Sequence, residues 1–417
     1  MKRLIVSWLL TIYTTVFRLM RTVGLLQSVE SSALVLPAAA PGNLGDEALV
    51  AATVNYLQQK GVNHIGLISY NPDRQWGGLH SVNEVIEMKD YFSYGSWRSW
   101  KALFRLVPII GRYEQFYCLG ADMMDGYYYP PATSKMLTII SVAASIGLDT
   151  TVIGFSFNEK PTPDSVQSLR KLPSNVKLCA RDQISQERLV KHTDRAIELV
   201  ADVAFLLPPS VESETVSEIW EWIAHQQNNG RIVIGFNPYN QLTEGAGIQT
   251  FEQLVRIYVD TLVELYSKNQ TISFVLIPHD FRTYKNKFSD LAIIEAIFKA
   301  LPAEIQFHSR KISATCTAAN IKAIVGKLDL VLSGKFHLSI ACLGQQTPVG
   351  CITYQGKFEG LFKHFELEGM MIEPQQALQS NKLVKFLIPL IENRKYICQQ
   401  IQAKLPKIQE LARANFV

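Results

Sequence analysis

The stretch ALVLPAAAPGNLGDEALVAATVNYLQQKGVNHIGLIS, residues 33–69, contains two short apolar segments on either side of a longer one with helical spacing. Residues 33–37 and 64–69 are apolar and read as strands, whereas 46–60 repeats apolar residues as a helix does. A strand, a helix and a second strand in this order are typical of a parallel sheet covered by helices. In this interpretation GNLGDE (42–47) is the loop that leads from the first strand into the helix.

The same alternation continues along the chain. Because 417 residues exceed what one hydrophobic core usually supports, the sequence predicts two domains. The predicted fold class is α/β, with two Rossmann-like doubly wound domains that face a cleft. The predicted parts are an apolar and basic N-terminal helix (1–30), a first domain (31–208), a polar linker with one helix (209–230), a second domain (231–392) and a C-terminal helix (393–417), whose packing on the first domain is left open.

Further strands and helices are predicted from apolar runs and their spacing. Strands are expected at 114–120, 150–156, 176–182, 196–207, 232–238, 272–280, 328–332 and 347–354, and helices at 134–146, 251–268 and 290–300.

Composition and charge limit the classes of protein to which this chain can belong. The chain has 41 Lys and Arg against 37 Asp and Glu, a net charge of +4, and no basic stripe interleaved with aromatic residues, so nucleic-acid binding is set aside. Six cysteines are scattered without a CxxC pair or a His/Cys ligand spacing. They predict buried thiols in a reducing compartment, and neither disulfides nor a metal site is expected.

The run from Leu4 to Phe17 is apolar and is flanked by Lys2, Arg3 and Arg18. It is shorter than the roughly 20 residues of a typical membrane span, and no small-residue cleavage site of a signal peptide follows promptly. A helix that lies on the protein or in the membrane interface fits better, and a true anchor stays open as an alternative. The predicted location is the cytoplasm, with contact to the inner face of the membrane left open.

The loop 42–47 follows the first strand, and ligands of open parallel sheets bind beyond the carboxyl ends of strands. Gly42 and Gly45 allow the backbone to approach a ligand, and the helix that follows offers unpaired N–H groups. Asp46 and Glu47 would repel a phosphate placed directly on the helix, so a sugar hydroxyl fits this loop better, with Asp46 as its hydrogen-bond acceptor or base. The alternative is an N-capped turn without a ligand.

Two later loops of the first half carry polar groups at strand ends. CLGADMMDGYYYP (118–130) places Gly120 and Asp122 beside three tyrosines on which a sugar ring could stack, although Asp/Gly turns are common. Arg181 follows the strand VKLCA, and its guanidinium suits a carboxylate or a phosphate. A surface Arg–Asp pair between Arg181 and Asp182 is the alternative.

The second half places Lys335 and His337 directly after the apolar strand LDLVL, where a helix begins. A cation and an imidazole at a helix N-terminus form an anion site with a proton donor attached. A structural histidine is the alternative interpretation. Lys357 and Glu359 provide another charged pair near the same edge, and His279-Asp280 is similar in position but a weaker candidate.

Taken together, these motifs resemble the polysaccharide pyruvyl transferase family. The resemblance rests on GNLGDEAL, LGADMMDG, ARDQIS, ADVAFLL and SGKFHLSIACLGQQTPVGCITYQGKFEGL, in this order, and it spans about residues 33–362. It implies a two-domain fold like that of the GT-B glycosyltransferases. It also implies transfer of pyruvate from phosphoenolpyruvate to a sugar, as a cyclic ketal on two hydroxyls, in surface polysaccharide or exopolysaccharide biosynthesis.

The resemblance and the residue chemistry together assign roles. Phosphoenolpyruvate is the co-substrate, the acceptor is a lipid- or nucleotide-linked sugar, and neither a cofactor nor a metal is required. His337 is the expected acid and Asp46 the expected base. The donor is assigned to Arg181, Lys335 and Lys357, and the acceptor to Asn43, Gly45, Glu47, Gly120, Asp122 and Glu359.

Two positions depart from the family pattern. Lys335 stands where the family commonly has arginine, so the charge is kept but the bidentate geometry is lost. Ala121 and Asp122 stand where glycines are expected. Two alternatives therefore stay open, a nucleotide-sugar glycosyltransferase of GT-B fold and a non-catalytic sugar-binding relative.

Overall fold

A computed structural model of the chain describes residues 2–71, 76–77, 79, 82–93, 97–239, 250–282, 288–313, 316–353 and 356–417, with side chains from residue 8 onward. Tyr354 and Gln355 of the last family motif lie outside the described residues. Contacts divide the chain into two compact units. The first comprises Met1–Pro41, Leu49–Leu206 and Glu410–Val417, and the second comprises Gly42–Ala48 and Leu207–Gln409.

The first unit contains a seven-stranded parallel sheet in the order β3-β2-β1-β4-β5-β6-β7. Its strands are β1 (Ser32–Leu36), β2 (His64–Ser69), β3 (Glu84–Glu87), β4 (Gln115–Leu119), β5 (Asp149–Phe155), β6 (Val176–Ala180) and β7 (Glu198–Leu199). Its helices are α1 (Lys2–Thr22), α2 (Leu44–Gln59), α3 (Lys89–Ser93), α4 (Trp97–Ile110), α5 (Pro130–Ser145), α6 (Pro163–Arg170) and α7 (Gln183–Thr193); the first residues of α2 belong to the second unit.

The second unit contains a six-stranded parallel sheet in the order β10-β9-β8-β11-β12-β13. Its strands are β8 (Ile232–Phe236), β9 (Ile272–Leu276), β10 (Ser309–Lys311), β11 (Leu330–Ser333), β12 (Val349–Ile352) and β13 (Met371–Ile372). Its helices are α8 (Glu214–Asn228), α9 (Phe251–Lys268), α10 (Asp290–Ala300), α11 (Ala303–Phe307), α12 (Ala318–Val325), α13 (Phe336–Gly344), α14 (Phe358–Phe365), α15 (Pro374–Ala377), α16 (Ser380–Glu392) and α17 (Arg394–Arg413); the end of α17 belongs to the first unit.

Both sheets begin with the 3-2-1-4-5-6 strand order of doubly wound nucleotide-binding domains. All five residues of β1 and of β9 are buried, because helices cover both faces of a parallel sheet. In this topology the order reverses between β1 and β4 in the first unit and between β8 and β11 in the second. Ligands of such sheets bind beyond the carboxyl ends of the strands at these reversals.

One predicted strand is wrong. The apolar run at 196–207 forms only the two-residue β7 and then a 3₁₀ helix, Val203–Leu206. The cause is Asp202, whose Oδ1 accepts a hydrogen bond from the backbone N–H of Ala204 and so favours a helical turn over an extended chain.

Candidate functional site

The loop Gly42–Ala48 belongs to the second unit by its contacts, although the predicted domain boundaries assign it to the first. Its backbone pairs with the segment that follows β9: Leu44 N donates to His279 O at 3.2 Å and Phe281 N donates to Gly42 O at 2.9 Å. These hydrogen bonds hold the loop at the carboxyl end of the second sheet.

Asn43 begins helix α2 as its N-cap. Its Oδ1 accepts a hydrogen bond from Gly45 N at 2.8 Å, which satisfies one of the free N–H groups of the first turn. The preceding Gly42 has φ +116°, in the region that favours glycine. The N-capped turn and the site are therefore the same structure, since the cap presents the next residues to the second sheet.

Gly45 lies directly against His337. A Cβ at this position would overlap the imidazole Nδ1 and stand 2.9 Å from Cγ, so a side chain at position 45 would displace the ring. The close approach explains why the loop needs glycine here and brings the neighbouring Asp46 to the same place.

His337 lies in the first turn of α13, which follows β11 at the strand-order reversal of the second sheet. The connection is tight: Ser333 Oγ accepts a hydrogen bond from Lys335 N at 3.0 Å and lies 3.0 Å from Lys335 O, to which it donates. A Cβ on the intervening Gly334 would overlap the Tyr239 ring. The N-cap residue Lys335 and the imidazole thus occupy the helix start that the sequence predicts.

Lys335 lies between two carboxylates. Its Nζ is 3.9 Å from Asp280 Oδ2 and 3.9 Å from Asp290 Oδ1. Asp290 is completely buried, and burial raises the pKa of its carboxyl despite the nearby Lys335 charge. Asp290 Oδ2 also accepts the backbone N–H groups of His279 and Asp280, so it fixes the segment that carries them.

Arg282 forms the other half of this cluster, and sequence reasoning missed it. Its Nε and Nη2 donate to the two oxygens of Asp280 at 3.0 and 2.9 Å, and its Nη1 lies 3.8 Å from Asp46 Oδ2. Burial alone would raise the pKa of Asp280, but the Arg282 hydrogen bonds and the Lys335 charge hold it below its ordinary value. Asp280 is therefore a carboxylate that aligns two cations.

His279 is a second imidazole of the cluster. It is 3% exposed, and burial together with the charges of Lys335 and His337 lowers its pKa to about 3. Among the described residues, its Nδ1 has no hydrogen-bond partner. His279 is thus neutral at physiological pH.

Glu47, whose predicted role in acceptor binding stays a prediction, contacts a neighbouring helix. Its Oε1 accepts a hydrogen bond from Ala318 N at 2.7 Å, at the start of α12, where a negative charge is favourable. Lys357 and Glu359 lie at the start of α14, with Lys357 Nζ 5.7 Å from the centre of the Phe336 ring. Lys357 is thereby linked to the residue that precedes His337.

The remaining candidates lie in the first unit. Arg181 is buried, and its guanidinium donates to Asp202 Oδ2 at 2.8 Å and to Ser156 Oγ at 2.7 Å. Gly120 follows β4, and a Cβ there would overlap Phe155, so it serves packing. Asp122 is half-buried in the same loop. In the structure Arg181 forms an internal ion pair with Asp202, and its binding of the donor stays a prediction.

The structure therefore brings Asn43, Gly45, Asp46, Lys335 and His337 into one cluster and adds Arg282, Asp280, Asp290 and His279 to it. Among the described residues, no group of three or more His, Cys, Asp or Glu is arranged to hold a metal ion. The cluster is an ion-pair network at two helix starts, with an imidazole and a carboxylate beside it.

Comparison with known proteins gives one family and a common fold. The family model for polysaccharide pyruvyl transferase matches residues 43–356, which contain every residue of the cluster. No curated protein is similar enough in sequence to give a match.

Solved structures with similar folds are distant in sequence. UDP-GlcNAc 2-epimerase from Neisseria meningitidis is 13% identical with a TM-score of 0.59, over 92% of this chain and 98% of that one. A putative UDP-N-acetylglucosamine 2-epimerase from Listeria monocytogenes is 10% identical with a TM-score of 0.58, over 93% and 97%. The α,α-trehalose-phosphate synthase of Burkholderia vietnamiensis is 12% identical with a TM-score of 0.53, over 94% and 96%. These similarities support the fold class of two Rossmann-like domains of GT-B type.

Proposed function

The chain belongs to the polysaccharide pyruvyl transferase family, and we propose that it transfers pyruvate from phosphoenolpyruvate onto two hydroxyls of a sugar, as a cyclic ketal with release of phosphate. Family membership implies a transferase of polysaccharide biosynthesis. Beyond this, we propose that the donor is phosphoenolpyruvate, that the product is a ketal, and that the protein acts in surface polysaccharide or exopolysaccharide assembly. The observation that supports it is the convergence of Asp46 and His337 beside two cations.

Phosphoenolpyruvate carries a carboxylate and a phosphate, and Lys335 and Arg282 are the cations of this network. Their ion pairs to Asp46, Asp280 and Asp290 span 3.8–3.9 Å, except for the tight Arg282–Asp280 pair. The start of α13, where Lys335 is the N-cap, adds backbone N–H groups for an anion. Lys357 is proposed as a further donor contact, and Arg181 as one from the first unit.

The proposed chemistry begins at the enol double bond of the donor. The imidazolium of His337 gives a proton to the methylene carbon, so positive charge develops on the carbon that bears the phosphate. A sugar hydroxyl attacks this carbon and passes its proton to Asp46. The second hydroxyl then forms the other ketal bond as the carbon–oxygen bond to phosphate breaks, and its proton leaves with phosphate or to solvent. Two hydroxyls and phosphoenolpyruvate thus become one ketal and inorganic phosphate, with neither a metal nor a cofactor in the scheme.

The acceptor is proposed to be a lipid- or nucleotide-linked sugar in the cytoplasm. Asn43 and Gly45 shape the backbone next to Asp46, and Glu359, Gly120 and Asp122 are retained as acceptor contacts. Glu47 is also retained as an acceptor contact, with its Oε1 hydrogen-bonded to Ala318 N at the start of α12.

The test is release of inorganic phosphate from phosphoenolpyruvate, followed together with the mass gain of a pyruvyl group on glycans from the native cell. We expect turnover that depends on both substrates and is lost in His337→Ala. His225→Gln, an exposed histidine of the same unit, is the matched control. Absence of turnover with every acceptor preparation, from a protein that remains folded, would contradict the proposal.

A nucleotide-sugar glycosyltransferase is the second candidate, supported by the fold it shares with nucleotide-sugar enzymes. Thermal shift with UDP-GlcNAc and with phosphoenolpyruvate separates the two candidates. Stabilisation by the nucleotide sugar alone would favour the glycosyltransferase. Stabilisation by neither, with function retained in His337→Ala, would favour a non-catalytic sugar-binding relative.

A further inference from the structure

Helix α1 is docked on the first unit by one face. Phe17 is 9% exposed and packs where Gly111 leaves room for its ring, and Thr14 is buried beside it. Arg21 donates hydrogen bonds to the backbone oxygens of Gly111 and Tyr113. These contacts fix the rotation of the helix about its axis and so decide which side chains face outward.

One side of the exposed surface of α1, continued by Val23 in the turn after it, is apolar. Trp8, Leu9, Ile12, Val16, Leu19 and Val23 are between 42% and 66% exposed. At about 100° per residue these six positions fall within a single arc about 100° wide, and at 1.5 Å per residue they extend over about 22 Å. We refer to these six side chains as the apolar stripe. A contiguous exposed patch of this kind marks an interaction site, whereas single exposed apolar residues do not.

Helices α1 and α4 are rich in cations. Helix α1 contains Lys2, Arg3, Arg18 and Arg21, helix α4 contains Arg98, Lys101 and Arg105, and neither helix contains an acidic residue. The Tyr13 and Phe104 rings, 5.5 Å apart, place α4 next to α1. Arg18, Lys101 and Arg105 are exposed, as is Trp97 at 69%. The chain as a whole is only +4, so positive charge is concentrated on these two helices.

We propose that α1 and α4 bind the surface of an anionic phospholipid bilayer, with the apolar stripe inserted at the headgroup boundary and the cations on lipid phosphates. An interfacial helix combines an apolar face with flanking Lys and Arg in this way. No helix in the described part of the chain has both the length and the apolar character needed to cross a membrane. A second copy of the chain is disfavoured as the occupant, because a two-fold contact through this face would bring the cations of both copies together.

The test uses the full chain and does not depend on the proposed function. Sedimentation with vesicles measures partitioning onto phosphatidylcholine alone and onto a mixture of phosphatidylcholine and phosphatidylglycerol. We expect binding to the mixture only, and weaker binding as salt is raised. Ile12→Gln with Leu19→Gln should lower the partition coefficient at least about tenfold, and Lys101→Gln with Arg105→Gln about twenty-fivefold, at roughly fivefold per cation.

Matched controls distinguish vesicle binding through α1 and α4 from non-specific adsorption of the protein to vesicles. Phe307→Gln and Lys191→Gln remove an exposed apolar side chain and an exposed cation elsewhere, and both should bind like the wild type. All substituted side chains are exposed, so the variants should keep the wild-type melting temperature. The proposal is overturned if the wild type ignores anionic vesicles or if the stripe variant binds them unchanged. It is also overturned if the stripe variant converts a dimer to a monomer without any vesicle binding in the wild type.

Discussion

The two sheets share one strand order, but they use the charged residues at their carboxyl ends differently. In the first unit Arg181 and Asp202 form an ion pair whose side chains are each 2% exposed. In the second unit the corresponding edge carries Arg282 at 21%, with Asp46 and Lys335 at 12%. One set of charges is sealed inside the protein and the other can reach a ligand. The accessible charges can meet a ligand directly, whereas Arg181 would first have to become exposed to take the donor role proposed for it.

The largest expected effect comes from removing the imidazole of the second unit. His337→Gln should lower turnover about a hundredfold to ten-thousandfold, the usual range for loss of a positioned acid. Steady-state phosphate release measures the loss, and the free energy of unfolding should stay close to the wild-type value because His337 is half-buried. Full activity in His337→Gln would contradict the proposal that the accessible charged cluster of the second unit carries the chemistry.

The next effect concerns the sealed pair of the first unit. Arg181→Met leaves Asp202 buried without its cation, so the free energy of unfolding should fall by about 3–5 kcal/mol, measured by urea denaturation. Arg256→Met removes an exposed i,i+4 partner of Asp260 and should cost at most about 0.5 kcal/mol. If Arg181→Met instead keeps wild-type stability and weakens only phosphoenolpyruvate binding, Arg181 has the donor role that its position in the sequence predicts.

A smaller effect tests the buried imidazole beside the site. The pKa of His279 in the folded protein, about 3, lies below its ordinary value, so the unfolded chain takes up the proton first. Stability should therefore fall as pH drops below about 6.5, by up to about 1.4 kcal/mol per pH unit, and this loss should continue toward pH 3. Urea denaturation at pH 7 and pH 5 measures it.

His279→Gln isolates this contribution from those of the neighbouring carboxyls. The difference in unfolding free energy between pH 7 and pH 5 should be smaller in this variant than in the wild type. His225→Gln, which removes an exposed histidine, should leave the difference unchanged. An equal pH dependence in wild type and His279→Gln would mean that the pKa of His279 does not differ between the folded and unfolded states.

The smallest effect lies in the loop after β4. Ala121 has φ +48°, a left-handed conformation that costs a residue with a Cβ about 1 kcal/mol or more. Ala121→Gly should therefore raise the free energy of unfolding by about 0.5 kcal/mol, after allowance for the greater entropy of glycine in the unfolded chain. Ala143→Gly, in the last turn of α5, is the matched control and should destabilise the protein. A loss of stability in both variants would contradict the prediction that the backbone of Ala121 is strained.

Much of the fold follows from the sequence, because a βαβ pattern with short buried strands admits few arrangements. The helices Phe251–Lys268 and Asp290–Ala300 begin and end where their periodicity predicts. The apolar run at 196–207 is misread because burial of a strand and of a 3₁₀ turn look alike in an apolar sequence. β3 was not predicted, since its four residues lie at the sheet edge and only Ile86 is buried.

The site could be predicted only in part. Lys335 and His337 lie at the end of a recognisable strand, and the loop with Asp46 follows another. Arg282 was missed because its role depends on the backbone pairing of residues 42–44 with residues 279–281, which no local pattern reveals. Asp290 looks like an ordinary acidic residue at the start of a helix, and its contact with Lys335 also arises only in the folded chain.

The close contact between Gly45 and His337 has a consequence for the entropy of the reaction. The missing side chain at position 45 allows the main chain of α2 to form a wall against one edge of the imidazole. A ring held against a rigid wall has fewer rotamers to lose when substrate arrives, and side-chain ordering typically costs about 0.5–1.5 kcal/mol at a binding site. Folding has therefore already ordered the imidazole proposed as the proton donor, and the affinity for substrate is not reduced by the need to orient it.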